Sequence, residues 1–161
     1  MSLTLKKPFI PDNRNPSICG PCGGQCCKKM PGIVHPDDIE ISEENLTRLI
    51  AEEGYAIDCW ENNPFDDNRD IGRVYYLRPR TIKAKDKVFD YSWGGQCINL
   101  GDNGCELDWI VRPAQCRALV PKENHGCFFE THQFSKRELA KAWYPHNDLL
   151  YRVGCKVEEN L

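Results

Sequence analysis

The sequence predicts a small, loop-rich α+β domain stabilised by metal, with two or three short helices and a small antiparallel sheet. The 161 residues suffice for one domain with a hydrophobic core. Two stretches have helical periodicity, a third is rich in strand formers, and 10 residues are cysteines. The mean hydropathy of -0.59 is low for a chain that folds by its core alone. Bound metal is therefore expected to contribute part of the folding free energy.

The chain is divided into an arm and a domain. Residues 1–18 are rich in proline and lack periodicity, which predicts an extended N-terminal arm. Residues 19–161 form the single cysteine-cluster metal-binding domain. In it, Ser42 has the position of a helix N-cap, and two glutamates follow in the first turn. Apolar residues at helical spacing continue until Gly54 ends the helix.

The second half of the domain combines strands and helices. Strand formers from Ile71 to Tyr91 predict a hairpin, with Lys85-Asp86-Lys87 as its turn. Ser135 is the expected N-cap of the helix that follows the cysteine-bearing loops. Pro145 interrupts this helix before a further apolar run.

Charge bears on the partners of the chain. The net charge of -3 argues against nucleic acid as a partner. Basic and aromatic residues do alternate from Tyr75 to Tyr91, and such a surface could bind a single strand. The alternative for this segment is a hairpin with one solvated face. The chain starts with no apolar leader and has no run of about 18 apolar residues, so we expect a cytoplasmic protein without a membrane partner.

The cysteines are the main functional signal. Four of them lie between residues 19 and 27, and four more follow at wider intervals. These eight candidate metal ligands are Cys19, Cys22, Cys26, Cys27, Cys97, Cys105, Cys116 and Cys127. Adjacent cysteines such as Cys26 and Cys27 are poorly placed to bridge each other, because neighbouring side chains point apart. A reducing compartment also favours metal over disulfides.

Glycines next to the cysteines support this prediction. Cys19-Gly20-Pro21-Cys22-Gly23 is typical of a knuckle that directs two sulfurs at one ion. Its glycine permits a positive φ, which lets backbone N–H groups donate to thiolates. The tetrapeptide Gly-Gly-Gln-Cys occurs twice, at 23–26 and 94–97. We therefore expect similar local geometry before Cys26 and Cys97.

A longer pattern carries a family resemblance. Cys97-Ile98-Asn99-Leu100, Gly104-Cys105 and Arg112-Pro113-Ala114-Gln115-Cys116-Arg117 follow one another in that order. With the early Cys-Cys pair, this order resembles the YkgJ-type cysteine-cluster family of zinc- or iron-chelating CxxCxxCC proteins, over residues 19–127. This chain has three residues between Cys22 and Cys26, where the family has two. The resemblance implies metal chelation, and a related domain occurs in flagellin lysine methylases.

The seven cysteines of the resemblance and Cys127 would close two four-sulfur sites with about two zinc ions, or bind one polynuclear cluster. Zinc, iron and an iron–sulfur cluster all accept such ligands. Cys59 and Cys155 lie outside the pattern, and we expect them to be buried thiols. His35 and His125 are further candidates, each more often a loop or surface histidine.

The leading hypothesis is a metal-binding protein whose thiolate site is mainly structural or metal-holding. Metal ions are its expected partners, and a protein partner is left open. The alternative is an iron–sulfur redox protein, or a metal-dependent component that modifies protein side chains. A third hypothesis is an interaction module that uses the tryptophans, although these are more often core residues. Whether the chain is an enzyme is left open, since a catalytic zinc normally keeps an open position. Arg112 and Arg117 are expected to stabilise the thiolates.

Overall fold

The computed structural model describes residues 10–15, 17–19, 24–92, 94–122, 127–129 and 132–161, with the backbone alone at residues 25, 26, 128 and 129. Its α-helices are α1 (Gln25–Lys29), α2 (Glu43–Glu52), α3 (Ala114–Arg117), α4 (Lys136–Trp143) and α5 (Asn147–Glu159). Its strands are β1 (Tyr55–Trp60), β2 (Val74–Pro79), β3 (Leu100–Gly101), β4 (Gly104–Cys105), β5 (Leu119–Val120) and β6 (Phe128–Phe129). They form three antiparallel pairs, β1–β2, β3–β4 and β5–β6. The predicted α+β class is confirmed.

Helix α2 begins and ends where the sequence predicts. The Ser42 hydroxyl accepts a hydrogen bond from the Asn45 backbone N–H at 3.1 Å, which caps the helix. The apolar face of α2 is buried, including Leu46 and Ile50. Gly54 follows with a φ of 78° and turns the chain into β1.

Strand β1 lies between β2 and the 88–90 segment. The predicted hairpin, in which β2 pairs with the segment after Lys85-Asp86-Lys87, is therefore wrong. Ile57 of β1 lies opposite Leu77 of β2, so β2 pairs with β1, the strand that precedes it in the chain. On the other edge of β1, the Ile57 N–H donates to the Val88 carbonyl at 2.8 Å, and the Asp90 N–H donates to the Ile57 carbonyl at 2.9 Å. The 88–90 segment therefore flanks β1 and does not pair with β2.

The C-terminal helices cover this sheet. The Ser135 hydroxyl accepts from the Glu138 N–H at 3.3 Å and caps α4, as predicted. After the turn that contains Pro145, α5 crosses β1 so closely that a Cβ at Gly154 would lie 2.5 Å from Ile57 Cδ1. No helix in the described ranges is long and apolar enough to span a membrane.

The core lies between the sheet and the helices. Trp143 is fully buried, and its indole N–H donates to the Val34 carbonyl at 2.6 Å. Residues 10–15 have no regular secondary structure, yet Ile10 is buried in this core. The arm boundary at residue 19 stays a prediction, and residues 1–9 lie outside the described part.

The arginines of the basic stretch bind groups inside the molecule. Arg78 is 1% exposed. Its guanidinium donates to Asp58 Oδ2 at 2.9 Å and to Asp90 Oδ2 at 3.0 Å. Arg80 donates to the carbonyl of Tyr55 at 3.0 Å. The side chain of Arg78 therefore ties β1, β2 and the 88–90 segment together.

Candidate metal centre

The two Gly-Gly-Gln-Cys segments lie side by side. The Cys97 N–H donates to the Cys27 carbonyl at 2.7 Å, and the Gly95 N–H donates to the Lys29 carbonyl at 2.7 Å. The second glycine has a positive φ in both segments, 80° at Gly24 and 132° at Gly95. Helix α1, which carries the Cys-Cys pair, is thereby joined to the segment that carries Cys97.

The Cys97 thiol is buried, which raises its pKa, and hydrogen bonds from Asn99 offset part of this effect. It is 5% exposed, and the backbone and side chain of Asn99 hydrogen-bond to it. Burial raises the pKa of the Cys97 thiol and the charge of Cys105 raises it further, whereas Asn99 and Arg78 act in the opposite direction. Hydrogen bonds to sulfur stabilise the thiolate, which is the form that binds a metal.

A tight hairpin positions Cys105. In the β3–β4 pair, Leu100 stands opposite Cys105, and Gly104 has a φ of 104°. The hairpin packs on the start of α1, because a Cβ at Gly24 would lie 2.5 Å from Leu100 Cδ1. Cys105 is half-buried at this junction.

Helix α3 brings Cys116 against the segment after α1. The Cys116 N–H donates to the Pro113 carbonyl at 2.9 Å. The Ile33 N–H donates to Gln115 Oε1 at 3.0 Å, and the Ile33 carbonyl accepts from the Gln115 N–H at 3.2 Å. These bonds hold Cys116 Sγ against Gly32. The sulfur occupies the space that a Cβ at residue 32 would need.

Three of the predicted ligands act on one half-buried phenol, that of Tyr55. Burial raises the pKa of the Tyr55 hydroxyl most, followed by the charge of Glu53 and then by Cys116, Cys97 and Cys105. The three sulfurs therefore lie close enough to Tyr55 for their charges to affect it. They reach it from α3, from the segment before β3 and from β4. Nothing in the sequence marks Tyr55, because its position depends on the pairing of β1 with β2.

The other predicted ligands are described only in part. Cys19 is exposed at the end of a helical turn, and Cys127 is half-buried just before β6. Cys22 lies outside the described residues, and Cys26 is described by its backbone in α1 alone. Among the described residues, no group of three or more histidine, cysteine, aspartate or glutamate side chains is arranged to hold a metal ion. The described part therefore contains no complete coordination shell.

The two cysteines outside the pattern have other surroundings. Cys59 is 5% exposed in β1, and burial raises the pKa of its thiol to about 11. Cys155 is half-buried in α5, where it forms a side-chain hydrogen bond with Tyr151. Cys59 is buried as predicted, whereas Cys155 is only half-buried.

The histidines and arginines near the cluster are also placed. His35 Nδ1 accepts from the Asp37 N–H at 3.1 Å and caps a short 3₁₀ turn, and His125 lies outside the described residues. Arg112 donates to the Cys105 carbonyl at 3.4 Å. Arg117 differs from the prediction, because its buried guanidinium binds Asp38. The arginine that acts on the Cys97 thiol is Arg78 of β2.

Comparisons of the chain with protein-family models, with curated proteins and with solved structures find no match. The family resemblance therefore rests on the spacing of the motif residues. The geometry around Cys97 and Tyr55 is an independent observation.

Proposed function

We propose that this chain is a metal-binding protein whose cysteine cluster holds zinc or iron in a mainly structural thiolate site. The observation that supports it most is the hydrogen bond from the Cys97 N–H to the Cys27 carbonyl, which joins the two halves of the cysteine pattern. Cys105 and Cys116 act together with Cys97 to raise the pKa of the half-buried Tyr55 hydroxyl. These cysteines come from separate short elements, which share no helix or strand. The motif order that resembles the YkgJ-type family supports the same function.

The chemistry of the donor set fits a metal. Thiolates removed from water are costly unless a positive charge compensates them. The hydrogen bonds from Asn99 supply part of this compensation at Cys97. A divalent ion would supply the rest, and closed all-thiolate sites are typical of structural zinc and of iron–sulfur proteins.

The ligands of this site would come from both halves of the pattern. Cys97, Cys105 and Cys116 would bind together with Cys27, whose carbonyl accepts the Cys97 N–H. No three of these described side chains are arranged to hold an ion, so their sulfurs would have to move together when the metal binds. The remaining ligands would be Cys19, Cys22, Cys26 and Cys127. Eight thiolates suit about two zinc ions or one polynuclear cluster. Such thiol chemistry also supports a reducing compartment, the cytoplasm.

A pair of buried cysteines provides the test. Cys97 and Cys59 are equally buried at 5% exposure, but only Cys97 belongs to the proposed site. We expect Cys97→Ser to lose at least half of the bound metal, because one thiolate of a shared site is removed. Cys59→Ser should keep all of it. Elemental analysis of the purified wild-type protein and both variants measures this.

Two results would contradict the proposal. One is a wild-type protein with no metal above trace level after purification without chelators. The other is equal metal content in Cys97→Ser and Cys59→Ser. A visible absorption band with acid-released sulfide would identify an iron–sulfur cluster and decide for the redox alternative.

A further inference from the structure

Residues 10–15 of the predicted arm pack on the domain at two points. Ile10 is 7% exposed and belongs to the hydrophobic core. The guanidinium carbon of Arg14 lies 5.7 Å from the Trp109 ring centroid, within the range of a cation–π contact. The same guanidinium donates to both carboxylate oxygens of Asp12, at 2.9 Å and 2.7 Å. The segment therefore has an apolar anchor at Ile10 and a cationic anchor at Arg14.

The cationic anchor lies just before the first cysteine. Asn15, the neighbour of Arg14, accepts the Ser17 N–H on its side-chain Oδ1 at 3.0 Å. Its backbone carbonyl accepts the Cys19 N–H at 2.7 Å. An asparagine that accepts in this way begins a tight turn. The position of the Cys19 backbone is therefore tied to that of Arg14.

Trp109 is joined in turn to the segment that carries Cys105 and Cys116. It lies between these two cysteines in a 3₁₀ turn, and its carbonyl accepts the Arg112 N–H at 3.2 Å. Arg112 donates to the Cys105 carbonyl at 3.4 Å and accepts the Arg117 Nε on its own carbonyl at 3.0 Å. The guanidinium carbon of Arg117 also lies 5.7 Å from the Trp109 ring centroid. One indole ring thus contacts an arginine of the arm and an arginine of α3.

The charges of the two segments act in the same direction. The hydrogen bonds from Arg14 lower the pKa of Asp12 most, and the charge of Arg112 lowers it further. The Asp12 carboxylate is therefore favoured by a cation of its own segment and by one of the segment that carries the cysteines.

We propose that Trp109 is a positioning residue of the metal site: by holding Arg14, it keeps Cys19 beside the segment that carries Cys105 and Cys116. The inference rests on the proposed function, because it concerns ligands of the same site. Without this contact, the chain before Cys19 would be free to move. A ligand on a mobile segment must be ordered again each time it binds the ion, which costs conformational entropy.

Release of the metal to an excess of chelator tests this role, once the metal content of the full-length protein has been measured. Arg14→Met removes the cation and should speed release by about two- to fivefold, as expected for one exposed cation–π contact. Arg14→Lys keeps a cation and should restore the slower release. Arg69→Met, at an exposed arginine outside the arm, is the control and should change nothing. Hydrogen exchange of the backbone between residues 10 and 19 should accelerate in Arg14→Met only.

A double variant tests whether Trp109 is the partner. Two side chains that act through one contact have non-additive effects. Arg14→Met combined with Trp109→Leu should therefore release metal no faster than Trp109→Leu alone, and additive effects would overturn the proposal. Normal metal content with a wild-type release rate in Arg14→Met would overturn this inference alone. Absence of metal from the wild-type protein would overturn the proposed function, and this inference with it.

Discussion

At the residue scale, Gly32 determines how closely Cys116 approaches the rest of the cluster. The sulfur of Cys116 occupies the space that a Cβ at residue 32 would need, and the Cys116 backbone N lies 3.1 Å from that position. Both contacts belong to α3, whose backbone is tied to Ile33 by hydrogen bonds. Any side chain at residue 32 must displace the Cys116 sulfur and shift the Cys116 backbone slightly.

Gly32→Ala is therefore expected to destabilise the protein by about 1–3 kcal/mol through overpacking and to lower its metal content. Gly72→Ala is the control, because a Cβ there meets nothing within 4 Å and only the φ of 77° is unfavourable. It should cost about 1–2 kcal/mol and leave the metal content unchanged. Thermal unfolding and elemental analysis measure the two effects. Full metal content in Gly32→Ala would contradict this account of Cys116.

His35 should make stability depend on pH. Burial lowers the pKa of His35, opposed by Asp37 and Asp38 and assisted by Arg117. Between the lowered folded pKa and the unfolded pKa of about 6.5, the unfolded chain binds the extra proton. Stability from this group is thus fully present above about pH 6.5 and is lost as the pH falls through the folded pKa.

The substitution His35→Asn keeps an acceptor for the Asp37 N–H but removes the titration. We expect the free energy of unfolding in urea to fall less between about pH 7 and about pH 5.5 in this variant than in the wild-type protein. Equal losses in the two proteins would show that His35 is not responsible.

At the element scale, the sheet is held by an ion network that crosses it. Arg78 of β2 binds Asp58 of β1 and Asp90 of the flanking segment, and all three side chains are buried. Removing one partner of a buried ion pair leaves an uncompensated charge. Removing Arg78 would leave the two buried carboxylates of Asp58 and Asp90 without their cation.

Arg78→Met should therefore destabilise the protein by about 3–5 kcal/mol in urea unfolding. Arg48→Met is the matched control, since Arg48 forms an exposed ion pair with Glu53. Exposed pairs contribute little, so this variant should unfold like the wild-type protein. A comparable loss in both variants would mean that the network has no special role.

The same element shows why the sequence predicts some structures and not others. The starts of α2 and α4 are encoded locally by Ser42 and Ser135, and both predictions are confirmed. The partner of β2 is determined by distant residues, since β1 lies before the loop that precedes β2. The segment after Lys85-Asp86-Lys87 has the composition of a strand, but it bonds to Ile57 at the other edge of β1. Composition alone cannot choose between these edges.

At the scale of the whole molecule, the elements that carry the predicted metal ligands are among the shortest ones. Helices α1 and α3 have 5 and 4 residues, and β3 and β4 have 2 each. Elements of this length are not stable by themselves in water. They surround the candidate metal centre, whereas α2, α5 and the β1–β2 pair carry much of the apolar core. Metal coordination would therefore stabilise the part of the molecule that has the least secondary structure.

The residues of the candidate site can likewise be predicted only in part from the sequence. Spacing predicts the cysteines, and in the described structure the charges of Cys97, Cys105 and Cys116 all raise the pKa of Tyr55. Tyr55 and Gly32 could not be predicted, because each acts through a tertiary contact that leaves no local pattern. The complete ligand set stays a prediction.

X-ray absorption at the edge of the bound metal tests the central claim most directly, because it identifies both the metal and its ligand atoms in the native protein. We predict a first shell of about four sulfur atoms, at about 2.3 Å if the metal is zinc. A first shell of oxygen or nitrogen atoms at about 2.0–2.2 Å, or no metal edge at all, would contradict the claim that this chain is a thiolate metal-binding protein.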